Sequence, residues 1–187
     1  MITGPSGAGK GTLIGALLER VPELELAVSA TTRARRPGEV NGRDYWFLSD
    51  EEFERRVRAG GFLEHVTYVS AHRYGTLRSE LDRIAAEGRV PVLELETEGA
   101  LRVRDEVPGS TTIFVDVPSF AELERRLRER ATESTGEIDE RLAVARRQRE
   151  QAAEFDHVVV NDDLERAVDE VVGIVRRELA AAATMRS

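Results

Sequence analysis

The nine residues Gly4–Thr12, GPSGAGKGT, carry the strongest chemical signal in the chain. Gly4, Gly7 and Gly9 let the backbone take left-handed torsions and turn its N–H groups toward one point, with Pro5, Ser6 and Ala8 between them. A helix starting at Lys10 adds its free N–H groups and the positive end of its dipole at the same place. The result is a cradle for a polyphosphate, with Lys10 placed to reach the β- and γ-phosphates. Lys10 is the only lysine in the chain, and the rest of its 27 Lys and Arg residues are arginine. A compact ammonium on a thin stem fits between a glycine loop and phosphates where a planar guanidinium would not. The competing reading of Gly-x4-Gly-Lys is a glycine turn that caps a helix. Gly11 stands where a Ser or Thr would help to hold Mg²⁺, so Thr12 or water takes that part.

A second stretch, Val28–Phe47 (VSATTRARRPGEVNGRDYWF), suits a second anion. Arg33 and Arg36 lie three apart beside the rigid RPGE turn, and two guanidinium forks converging on one spot suit a dianionic monophosphate. Tyr45 and Tyr74 can each add a phenolic donor, although Tyr45 also reads as a core aromatic of this segment. Arg35, between the two arginines, reads as a solvent residue.

Together with the phosphate loop and Val158–Asp163 (VVVNDD), this stretch closely resembles the guanylate kinase family, along nearly the whole chain. The resemblance implies transfer of the γ-phosphoryl of ATP to GMP, giving GDP and ADP, with Mg²⁺ accompanying the ATP. It implies that Arg33, Arg36, Tyr45 and Tyr74 hold the GMP phosphate and that Glu64 reads guanine. A carboxylate can accept from guanine N1–H and the exocyclic amine together. It further implies Ser29 and Thr76 as hydroxyls near the base, Glu94 as an acidic position on the next strand, and Lys10, Arg130 and Arg141 as the catalytic cations. Gly4–Thr12 and Asn161 would bind ATP, and Thr12 and Glu96 would serve the metal through water. Glu64 alone also reads as an exposed strand-end charge. Asn161 reads equally as an N-cap, and His72 as a solvated or structural loop residue. The chain departs from the family pattern in the loop before Tyr74, where His72 and Arg73 replace the usual small and polar residues, and elsewhere. Tyr74 comes ten residues after Glu64 rather than nine, in SAHRYGT, so one residue must bulge. Glu96 stands for Asp, Glu98 for Gln and Ala131 for Gly.

The totals fit this reading. The chain has 187 residues, enough for one domain with a core, and 41% of them are hydrophobic. The net charge of −8 argues against broad nucleic-acid binding. No long apolar run calls for a membrane, no basic and apolar leader is evident, and there is no cysteine, so a cytoplasmic protein without disulfides is expected. The totals leave the oligomeric state open.

To position these residues the sequence offers strand-like runs around 26–29, 45–48, 62–68, 90–95, 112–117 and 157–160. Helical patterns fall near 10–20, 50–59, 77–87, 98–105, 120–130, 138–153 and 164–179. Buried runs such as VPVLEL and TIFVDV, alternating with amphipathic helices, predict an α/β fold in which helices flank a parallel sheet. Residues 1–28, 84–129 and 148–187 read as the core, 29–83 as a small mixed α/β acceptor-binding insertion, and 130–147 as a helical lid. Only Met1–Thr3 precede the phosphate loop, against about five residues in an ordinary strand, which leaves open a short first strand or a late start of the chain. Two other functions stay open on sequence alone: a catalytically inactive binding module of the same fold, and a kinase for another small phosphorylated acceptor.

Overall fold

The structure, a computed structural model, describes residues 1–67, 71–130 and 135–185, without the side chains of 130, 135–137 and 185. In chain order the elements are β1 (Ile2–Thr3), α1 (Lys10–Arg20), β2 (Leu24–Leu26), β3 (Ala30–Thr31), β4 (Trp46–Phe47), α2 (Asp50–Arg58), β5 (Phe62–Thr67), β6 (Arg73–Leu77), α3 (Arg78–Ala86) and β7 (Val90–Val92). They continue with α4 (Thr97–Glu106), β8 (Ile113–Asp116), α5 (Phe120–Arg130), α6 (Thr135–Glu150), a 3-10 turn (Ala152–Glu154), β9 (His157–Val160) and α7 (Leu164–Met185). The chain forms two compact units, residues 1–22 with 94–187, and residues 23–93.

In the first unit β8 lies between β1 and β9, all parallel, with Ile2 opposite Ile113 and Ile113 opposite His157. The apolar run of β8 is fully buried at Ile113, Phe114 and Val115, as a strand covered on both faces requires. β1 is two residues long, and a bridge from Ile2 to Glu94 extends the pairing on its other side. Helix α1 buries Leu13, Ile14 and Leu17, an inward stripe at helical spacing. It ends at Arg20, one residue before Val21-Pro22.

In the second unit a mixed sheet runs β4-β3-β6-β5, and β2 pairs with β7 in parallel. One face of the mixed sheet packs on α2. Ala30, Phe53, Phe62 and Leu77 form the core there, with Trp46, Leu48 and Val57 against them. Ser49 caps α2 by accepting from the Glu52 N–H at 3.1 Å, three acidic residues follow in the first turn, and arginines fill the last.

The strand expected at 26–29 falls between two short ones, β2 and β3, and the one expected at 90–95 is β7 over Val90–Val92, followed by the Glu94 bridge and a Leu95 N–H donated to the Ile2 carbonyl at 3.1 Å. Strand β6 was not foreseen, because SAHRYGT carries a glycine and turn residues where alternation would mark a strand. Gly75 belongs in that strand for a steric reason. A Cβ there would lie 2.7 Å from the Glu64 carbonyl oxygen and 2.8 Å from the Phe62 ring. Of the expected lid, 131–134 and hence Ala131 lie outside the described residues.

Candidate active site

The phosphate loop leaves β1 and turns into α1. Gly4 has φ +139°, and a Cβ on it would sit 2.1 Å from the Val115 carbonyl oxygen of the neighbouring strand, so no other residue fits. Gly9 caps α1 at φ +85°. Ala8 closes the turn by donating its N–H to the Pro5 carbonyl at 3.1 Å. Ser6 and Thr12 are exposed and Gly11 opens onto solvent, whereas Pro5 and Ala8 are buried. Lys10 Nζ donates to the carbonyls of Gly4 at 2.8 Å and Pro5 at 3.2 Å, which holds the ammonium over the loop.

Asn161 follows β9 and is buried. Its Nδ2 donates to the Ala8 carbonyl of the phosphate loop at 2.8 Å. The capping at α7 falls to Asp163, whose Oδ1 accepts from the Arg166 N–H at 2.9 Å. Glu94 is exposed and lies in this first unit. Glu96, the N-cap of α4, accepts from Gln148 Nε2 at 2.5 Å. Arg141 is exposed on α6. Arg130 closes α5, and its side chain lies outside the described residues.

In the second unit the sheet face opposite the core gathers Arg33, Tyr45, Phe47 and Tyr74. The Arg33 guanidinium carbon lies 5.4 Å from the Tyr45 ring centre and 5.7 Å from that of Phe47, and the Tyr45 and Tyr74 rings meet edge to face at 6.0 Å. Arg33 forks onto Glu39 at 2.7 and 3.1 Å, and the Arg36 N–H donates to the same carboxylate at 2.7 Å. The Glu39 carboxylate, then the Tyr74 hydroxyl, raises the Arg33 pKa, while Arg33 and the Arg36 N–H hold Glu39 below the usual carboxylate range. The Arg36 side chain is exposed.

Glu64 faces Thr76 across the β5–β6 pair, and Thr76 Oγ1 donates to Glu64 Oε1 at 3.0 Å. Tyr74 and Thr76, two apart on β6, share that face. Ser29, half-buried, accepts the Trp46 N–H on its carbonyl at 2.9 Å. The extra residue before Tyr74 leaves the pairs Glu64–Thr76 and Val66–Tyr74 in register. Ala71, just before β6, has a left-handed φ of +59°.

The sequence profile described as "Guanylate kinase" matches residues 1–178. The chain belongs to the guanylate kinase family. It is 52% identical over 180 residues to a guanylate kinase of Rubrobacter xylanophilus, covering 96% of this chain and 94% of that one. It is 49% identical over 168 residues to one of Thermosynechococcus vestitus, covering 90% and 87%. The crystal structure of guanylate kinase from Anaplasma phagocytophilum superposes with a TM-score of 0.76 at 31% identity, over 95% of this chain and 83% of that one.

Several partners of the candidate residues in each unit are not marked in the sequence. Glu39 is legible in retrospect as a carboxylate inside the same turn as Arg33 and Arg36. Gln148 is not, because it meets Glu96 across 52 residues. Arg149 pairs with Asp116 at the end of β8, its Nε 2.8 Å from Oδ1. Arg126, on α5, donates through Nε to Glu122 at 2.7 Å and through Nη2 to the Asn161 carbonyl at 3.1 Å.

Proposed function

We propose that this chain transfers the γ-phosphoryl group of ATP to GMP, and to dGMP, giving GDP and ADP in purine nucleotide metabolism. The observation that carries this reading is Glu64, an acceptor held by Thr76 on the sheet face that also bears Arg33, Tyr45 and Tyr74. A base-reading carboxylate and a phosphate clamp on one face describe a purine monophosphate whose base offers two donors.

The division of labour follows from the chemistry. The phosphate loop, Gly4–Thr12, binds the ATP polyphosphate through main-chain N–H groups, and Lys10 leaves the Gly4 and Pro5 carbonyls to meet it. Arg33, Arg36, Tyr45 and Tyr74 hold the GMP phosphate, while Glu64, Thr76 and Ser29 orient guanine and Glu94 adds an acidic contact. A phosphate monoester is already a nucleophile near neutral pH, so no side chain need act as base. Catalysis is placement and neutralisation of the equatorial oxygens by Lys10, Arg130 and Arg141. We assign 29–83 to the acceptor and 130–147 to the lid, and place the reaction in the cytoplasm.

Among the described residues no helix is long and apolar enough to cross a membrane, and no group of three or more His, Cys, Asp or Glu could hold a metal ion by itself. The oxygen donors of Thr12, on the first turn of α1, and Glu96, at the N-cap of α4, fit Mg²⁺, which keeps several waters and takes phosphate oxygens as ligands. When bound, Mg²⁺ would neutralise charge on the transferring phosphoryl group.

A coupled ADP-release assay with GMP, dGMP, AMP, UMP and ribose phosphate as acceptors tests the function. Turnover confined to the guanine nucleotides is expected. Preference for another acceptor, or no turnover by folded protein, refutes it.

A further inference from the structure

We propose that Asn161 is a positioning residue for the phosphate loop, acting through the Ala8 carbonyl rather than through the nucleotide base. The proposal rests on the kinase reading and deepens it. Asn161 is 6% exposed and fixed on three sides. Its N–H donates to the Asp116 carbonyl at 2.8 Å, its own carbonyl accepts from Arg126 Nη2 at 3.1 Å, and its Nδ2 donates to the Ala8 carbonyl at 2.8 Å. Arg126 is in turn held by Glu122 on the same helix, at 2.7 Å. A rigid strand end therefore reaches one peptide of the loop.

That peptide matters because it is planar and trans. The Ala8 C=O and the Gly9 N–H point in opposite directions, so fixing the oxygen on Asn161 aims the Gly9 N–H away from Asn161. Gly9 is matched to this contact. A Cβ at its φ of +85° would lie 2.5 Å from Asn161 Nδ2, so the loop can approach Asn161 only without a side chain there. Helix α5 supports the same loop from another side, where a Cβ on Gly7 would meet Leu123 at 3.2 Å and Leu127 at 3.3 Å. The helix that ends in Arg130 and the strand that ends before Asn161 thus both bear on the loop. Asn161 sets the direction of an N–H donor without touching the ligand.

The test uses inorganic tripolyphosphate, which has no base, beside ATP. In Asn161→Ala and Asn161→Leu of the full chain, checked for folding by thermal melting, both ligands should weaken by the same factor, about tenfold for one lost orienting hydrogen bond. GMP affinity should stay near that of the parent. Weakening of ATP alone, or of neither ligand, overturns the proposal. Should the Asn161 variants not fold, Gly9→Ala, which forces the same two groups apart from the loop side, must weaken both ligands alike. A Gly9→Ala protein that binds tripolyphosphate as the parent does overturns the proposal as well. Failure of the kinase reading is separable, since it would appear as no GMP-dependent turnover by the parent protein.

Discussion

Replacing Glu64 by Gln should cost GMP about 10²-fold in kcat/KM and leave AMP unharmed, so that the preference between them narrows by the same factor. Thr76 Oγ1 donates to Glu64 Oε1, which fixes what the new amide can do. The amide oxygen must stay on Thr76 to accept that hydrogen, which turns the NH₂ toward the base. Guanine presents donors there, so one charge-assisted hydrogen bond, about 1.5–3 kcal/mol, becomes a donor facing a donor. At 1.4 kcal/mol per tenfold, about 3 kcal/mol is the expected factor of about 10². Adenine offers an acceptor at N1, which the amide can serve. The assay is ADP release across a concentration series of each nucleotide, with Thr76→Val as companion. That variant frees the Glu64 carboxylate to rotate but keeps its charge, and should lose less than Glu64→Gln. An unchanged ratio of GMP to AMP in Glu64→Gln would refute the assignment of Glu64 to the base.

Other outcomes follow from the same geometry. Lys10→Ala should lower turnover more than about 100-fold, as expected for loss of a charge aimed at the transferring group, while GMP binding measured by calorimetry persists; loss of GMP binding would contradict the separation of roles. Gly4→Ala must place a methyl where the Val115 carbonyl stands, so its unfolding free energy in urea should fall by several kcal/mol or folding should fail. Phe53→Ala removes a fully buried ring stacked on Phe62 at 4.4 Å and should cost about 3–5 kcal/mol in urea unfolding. The Glu122 carboxyl is held down to about 2, by Arg125 first and then Arg126, against an ordinary 4.5. Its folded value lies below its unfolded one, so its contribution is present above the ordinary value and is lost as pH falls toward 2. Side-chain NMR titration should show that low midpoint, and the melting difference between the parent and Glu122→Gln should shrink over the same interval.

Most elements of the fold were legible in the sequence. Helices α1 and α5 fall on the expected residues because glycine or polar turns bound a strong apolar stripe. β8 and β9 were legible as short apolar runs between such helices. What failed was local pairing in the second unit. β6 carries Gly75 because a neighbouring backbone passes too close for any side chain, and no single-strand pattern records a neighbour. The partner of Asn161 was hidden for the same reason, since Ala8 lies 153 residues away and presents only a carbonyl. Residue types reveal which groups can donate or accept, but only the fold says which backbone oxygen is within reach.

The two anion sites share a property that bears on how selectivity arises. Lys10 is held by the Gly4 and Pro5 carbonyls, and Arg33 by the Glu39 carboxylate. Each cation therefore meets a phosphate by exchanging one set of oxygens for another. Exchange of hydrogen bonds yields a modest net gain per contact, about 0.5–1.5 kcal/mol, because one partner is lost for each one won. Discrimination must then come from positions where the exchange fails for the wrong ligand. Phosphates of GMP and AMP satisfy Arg33 equally, so that site cannot separate them. Glu64, proposed to read the base, could, because its carboxylate accepts from Thr76 and guanine brings it donors that adenine lacks. A purine without them brings no donor to that charged acceptor, a penalty larger than any single exchange at the clamp can return.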